Sequence, residues 1–113
     1  MNEILLTKES EYVLTAMYKE FLDRYNQGVP RDKAKIFGHQ DNIFKFVDIF
    51  PEQDLTGLLQ ELKEKSMIIA KPSSNIFYWV AMTTDSIIFM ENRVGRNINK
   101  IVDWLIKTKQ LLF

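Results

Sequence analysis

The chain has 113 residues, which suits one domain around a single core and leaves little room for two. Hydrophobic residues make up 46%, aromatic ones 12%, and there is no cysteine, which excludes low-complexity disorder, disulfides and thiolate metal sites. The 15 basic side chains balance 15 acidic ones, against the basic excess of a protein whose whole surface binds nucleic acid.

Thr7 is placed to cap a helix over 8–27, with Glu9 and Glu11 in the first turn, where the helix dipole favours carboxylates. Val13, Leu14, Met17, Tyr18, Phe21, Leu22 and Tyr25 recur at helical spacing, Gly28 marks the end, and Pro30 prevents continuation. "RDKAKIFG" reads as a short helix over 31–37 closed by Gly38. "HQDNIFKFVDIFP" crowds Ile43, Phe44, Phe46, Val47, Ile49 and Phe50 together, as a second short helix or an irregular apolar connection that Pro51 ends. A further helix is expected over 52–65. Leu55, Leu58, Leu59 and Leu62 form its buried stripe, and Gln53, Thr56, Gly57, Gln60, Lys63 and Glu64 its open face.

"MIIA" then suits a strand, "KPSSN" a turn and "IFYWVAM" a second strand, which makes a hairpin. Strict alternation along the second strand would send Phe77 and Trp79 to one face and Tyr78 to the other. Thr83 and Asp85 open a helix over 84–93, Gly95 breaks it, and a last helix is expected over 96–110. Ile98, Ile101, Val102, Leu105 and Leu112 line one face of that last helix, with Trp104 and Ile106 off the stripe. Charge is unevenly spread. Residues 93–113 carry Arg93, Arg96, Lys100, Lys107 and Lys109 against Asp103, a net +4, whereas 51–66 come to −2.

Helix, short helix, helix, two-stranded hairpin, helix is the order of elements in winged helix-turn-helix domains, and residues from Ser10 to Arg93 follow it. "LTGLLQELKEKSMI", the hairpin and "MTTDSIIFMENR" resemble the recognition helix, wing and following helix of bacterial regulators of the multiple-antibiotic-resistance type. Where those proteins commonly open the post-wing helix with Leu-Thr, this chain has Met82-Thr83. Phe37-Gly38 and the run Ile87 to Arg93 are also similar to those of small uncharacterised Firmicute winged-helix proteins. The resemblance implies an α+β, mostly helical fold: a three-helix core and a two-stranded wing over 1–93, with a C-terminal helix over 94–113. It further implies a bacterial or phage DNA-binding protein, a dimeric transcriptional regulator working without a cofactor. The alternative on the same fold is a protein–protein interaction module.

Under the DNA-binding reading, Gln53, Thr56 and Gln60 are the candidate base readers, since glutamine pairs with adenine through two hydrogen bonds. Lys63, Lys71, Arg31, Lys33 and Lys35 are the candidate phosphate contacts. Glu52, Asp54, Glu61 and Glu64 oppose it, because carboxylates beside phosphates weaken binding. Ile98, Ile101, Trp104, Leu105 and Leu112, with the terminal "LLF", are the candidate dimerisation surface around a two-fold axis. The opposing expectation is that this helix packs on the first helix of its own chain.

No enzyme is expected. His39 is the single histidine, and no nucleophile, metal partner or glycine-rich phosphate loop is spaced to work with it. "MNEILLTKESEYV" has acidic residues where a secretory leader is basic, and no apolar run reaches the ~20 residues that span a bilayer. The expectation is a cytoplasmic protein with no membrane partner.

Overall fold

A computed structural model describes residues 4–112. In chain order these form α1 (Lys8–Asn26), α2 (Arg31–Ala34), β1 (Ile36–Gly38), α3 (Gln40–Phe44), α4 (Glu52–Glu64), β2 (Ile68–Ser73), β3 (Ile76–Met82), α5 (Thr84–Val94) and α6 (Ile98–Leu112). The class is α+β and mostly helical.

The long α1 is the spine of the core. Thr7 caps it by accepting the Ser10 N–H on its hydroxyl at 3.1 Å. Val13, Leu14, Met17, Tyr18, Phe21 and Leu22 are buried along it. It closes with paired bonds from Gly28 N–H to Tyr25 O (3.1 Å) and from Val29 N–H to Arg24 O (3.0 Å). Gly28 takes the left-handed φ of 98° that this closure needs.

The helix expected over 31–37 stops at Ala34, and Ile36–Gly38 is a strand instead. The reason is tertiary: Ile36 pairs with Ala81 and Gly38 with Val80, and Met82 N–H donates to Lys35 O at 2.9 Å. Four helical residues alone would be marginal, and the ladder to β3 outweighs them. The sheet is antiparallel in the order β1-β3-β2, so the hairpin's second strand is central.

The hairpin turn is narrower than "KPSSN" suggested. Lys71, Pro72 and Ser73 belong to β2, and the turn is Ser74-Asn75, with φ of 50° and 70°. Two positive φ values make the tight turn whose twist matches its strands. Lys71 pairs with Trp79 but Pro72 pairs with Phe77, leaving Tyr78 as the extra residue of a bulge. That bulge overturns the expected alternation. Phe77 is buried inward, Tyr78 is exposed, and Trp79 lies half-buried beneath the Lys71 ammonium, 4.8 Å from its ring centroid.

α4 lays Leu55, Leu58, Leu59 and Leu62 into the core. α6 packs along α1, with Ile101 fully buried and Ile98, Leu105 and Leu112 partly buried against the same core. Tyr18 fastens this side by donating its hydroxyl to Gly95 O at 2.8 Å, between α5 and α6. Among the described residues no helix is long and apolar enough to cross a membrane.

Candidate functional site

Pro51 enters α4 without a side-chain cap, and Glu52 and Asp54 in the first turn offset the unsatisfied N–H groups there. With four leucines turned inward, the outer face of α4 carries Gln53, Gly57, Gln60 and Glu64, all exposed. A Cβ added at Gly57 would meet nothing within 4 Å, so no packing requirement explains a glycine in mid-helix. The centre of this face is open backbone.

α4 is held to the hairpin by one buried side chain. Gln40, 1% exposed at the start of α3, donates from Nε2 to Thr56 Oγ1 at 2.9 Å and accepts the Phe77 N–H on Oε1 at 2.8 Å. A single amide therefore joins α3, α4 and β3. Gln40 was not singled out in the sequence, where "HQD" drew attention to His39. A glutamine carries no periodicity signal, and only its burial between two polar partners identifies it.

The predicted residues separate into three groups. Gln53, Thr56, Gln60 and Lys63 share one side of α4. Thr56 is committed structurally, because its hydroxyl also donates to Glu52 O at 3.1 Å. Gln60 Nε2 donates to Glu64 Oε1 at 3.1 Å on the surface. The Lys63 ammonium lies 5.6 Å from the Phe77 ring centroid, so it and Lys71 both border the hairpin. Arg31, Lys33 and Lys35 belong elsewhere. α2 packs on α1 and β1, at the Met82 end of β3. The same end of β3 also meets the end of α4, where Thr83 Oγ1 donates to Ser66 O at 2.9 Å.

The dimerisation candidates also divide. Ile101 is buried within its own chain, where it cannot also face a second subunit. Trp104 is half-buried beside a cavity of about 210 Å³ that Lys8, Glu11, Arg93 and Thr108 help to line. Arg93 there pairs with Glu11. The apolar side chains that α6 does expose are Ile106 (52%) and Leu111 (73%). Phe113 of the terminal "LLF" lies outside the described residues.

The other flank of α4 is acidic. Asp54 and Glu61 join Glu9 of α1 around a groove of about 520 Å³ that reaches Gln53 and Gly57 of the outer face, with Leu58 and Leu112 in its walls. Glu61 accepts the Thr7 hydroxyl at 3.1 Å. His39 proves to be a helix cap, its Nδ1 accepting the Asp41 N–H at 3.1 Å at the entry to α3. Among the described residues no group of three or more histidine, aspartate or glutamate side chains is arranged to hold a metal ion. Comparison with protein-family models, curated proteins and solved structures finds nothing that matches this chain.

Proposed function

We propose that the chain is a winged helix-turn-helix protein that binds double-stranded DNA and acts as a transcriptional regulator by occupying an operator. In this reading α3 and α4 are the helix-turn-helix, β2 and β3 are the wing, and α4 enters the major groove by its N-terminal half. The element order and the strand order β1-β3-β2 support it. The observation that carries it is the exposed polar face of α4, fixed to the hairpin through Gln40, so that helix and wing would meet a duplex as one rigid body. Gln53 and Gln60 read base edges, and Gly57 between them lets the helix backbone approach closely. Thr56 supports rather than reads. Lys63 and Lys71 contact phosphates. No cofactor takes part.

A second reading is favoured by one specific observation: Glu52, Asp54, Glu61 and Glu64 outnumber Lys63 on α4. A mixed to acidic helix face suits a protein partner better than a phosphate backbone.

Titration of the purified protein into fragmented bacterial DNA, at low and near-physiological salt, followed by sequencing of what is retained, separates the two. DNA reading predicts a short enriched site that survives the higher salt. Lys71→Ala should then weaken binding uniformly across sequences and lower the salt slope by about 1, while Gln60→Ala relaxes preference at one base position by about 1–3 kcal/mol. Retention that vanishes with salt and enriches nothing overturns the DNA reading.

A further inference from the structure

One face of the sheet takes no part in the core. Ile68, Ala70, Val80 and Met82 turn inward and are buried, so the residues that alternate with them turn outward. Ile36 pairs with Ala81, and Ala81 with Ile69, which sets the three side by side across the outer face. Ile36 is 37% and Ile69 51% exposed, with Ala81 buried between them. Three adjacent strands spread this row over about 10 Å, the width of a helix laid on a sheet. The sheet can be covered but not extended. At the β1 edge, Ile36 O and Phe37 O already accept from Arg24 Nη1 and Asn42 Nδ2, each at 2.9 Å. At the other edge β2 contains Pro72, which has no N–H to offer an added strand. Nor is the face a stacking platform, because the Lys71 ammonium already lies over the Trp79 ring. Its charge is one-sided. No residue of the three strands is acidic, and Arg31, Lys33 and Lys35 run into β1 with Asp32 as their one carboxylate. Among the described residues those three cations make no ion pair.

We infer that the row of Ile36, Ala81 and Ile69 docks an acidic amphipathic helix of a partner protein. Apolar side chains of that helix lie on the two isoleucines, and its carboxylates face Arg31, Lys33 and Lys35. The other occupants each lack something. An extended strand has no free edge to pair with, and single-stranded nucleic acid finds the Trp79 ring already covered. A second copy meeting this face with its own would bring strands that hold no carboxylate for the three cations. The row stands at the base of the hairpin, where Met82 N–H donates to Lys35 O. Gln53, Gln60, Lys63 and Lys71 take no part, so docking and DNA binding are tested apart.

The probe is a synthetic helix of about 16 residues, with leucine and phenylalanine on one side and glutamate on the flanks. It is titrated into the full chain and followed by backbone amide NMR. Saturable shifts centred on Ile36, Ile69 and Ala81 are expected. The same peptide with lysine in place of glutamate should bind about tenfold more weakly or worse. Ile69→Thr keeps a β-branched residue on the strand but removes apolar surface, and should weaken binding about fivefold or more. Lys35→Glu should narrow the gap between the acidic and the basic peptide. Amide spectra unchanged away from the row verify that both variants fold. No saturable binding overturns the proposal, as does equal binding of the two peptides or shifts centred on the groove beside α4. So does a response to oligothymidine in place of the peptide, or a self-association that Ile69→Thr abolishes.

Discussion

Gln40→Met tests the lock between α4 and the hairpin. Methionine keeps the length of the side chain and removes both polar atoms, so the change isolates the two hydrogen bonds. Phe77 N–H, buried in the sheet, loses its acceptor at 2.8 Å. Such an orphaned donor costs about 1–3 kcal/mol. Thr56 loses the Nε2 donor at 2.9 Å but still donates to Glu52 O, so its share is smaller, about 0.5–1 kcal/mol. The apolar methionine returns part of this by burial, leaving a net loss of about 2–3 kcal/mol. For a domain whose total stability is about 5–15 kcal/mol, that is a large fraction. Urea unfolding should show it as a lower midpoint at unchanged slope. A cycle with Thr56→Val should give a coupling of about 0.5–1.5 kcal/mol, because the two side chains share one bond. A loss below about 0.5 kcal/mol, or no coupling, would refute the claim that this amide joins the two elements.

Two further outcomes follow from backbone geometry and from tyrosine burial. Ser66 closes α4 with a left-handed φ of 62°, Met67 N–H donating to Leu62 O at 2.9 Å, whereas Gly57 sits in mid-helix with open space around it. Exchanging the residue types should therefore stabilise twice: Ser66→Gly by relieving the φ and Gly57→Ala by helix propensity, each by about 0.5–1 kcal/mol in chemical denaturation. Burial raises the phenol pKa of Tyr12, with the Asp48 carboxylate adding to it, and burial likewise raises Tyr18, with Glu91 adding and Arg96 opposing. Because the folded values lie above the ordinary 10.0, both phenols favour folding fully below that pH and lose the contribution as pH rises through the folded values. Unfolding midpoints should fall above about pH 10, and Tyr18→Phe or Tyr12→Phe should flatten the fall.

Local signals carried most of the helical frame. Thr7 and Thr83 announce helix starts through their own hydroxyls, accepting the N–H groups of Ser10 and Ser86. The leucine spacing of 55–62 fixes the buried side of α4. Errors arose where a distant strand decided the outcome. Ile36–Gly38 has no strand signal of its own and is extended because β3 offers it a ladder. The bulge at Tyr78 likewise depends on register with Pro72, which strict alternation cannot foresee. The candidate site was legible only as residue types on one helix side. That Thr56 is already bonded, and that carboxylates of α1 and α4 rim one groove, are relations between elements. They become visible only once the chain has folded.

The carboxylates of α4 carry the main tension in the functional reading, and they do not all weigh equally. Glu52 and Asp54 stand in the first turn of a helix that has no side-chain cap. A carboxylate there contributes about 0.3–1 kcal/mol to helix stability, so the fold has its own reason for both. Asp54 and Glu61 line the groove of about 520 Å³, and so do Gln53 and Gly57 of the outer face. The outer face holds Gln53, Gly57 and Gln60, with Glu52 and Glu64 at its two ends and Lys63 and Lys71 toward the wing. Glu52 and Asp54 therefore count less strongly against DNA contact than Glu61 and Glu64, which have no such role at the helix start.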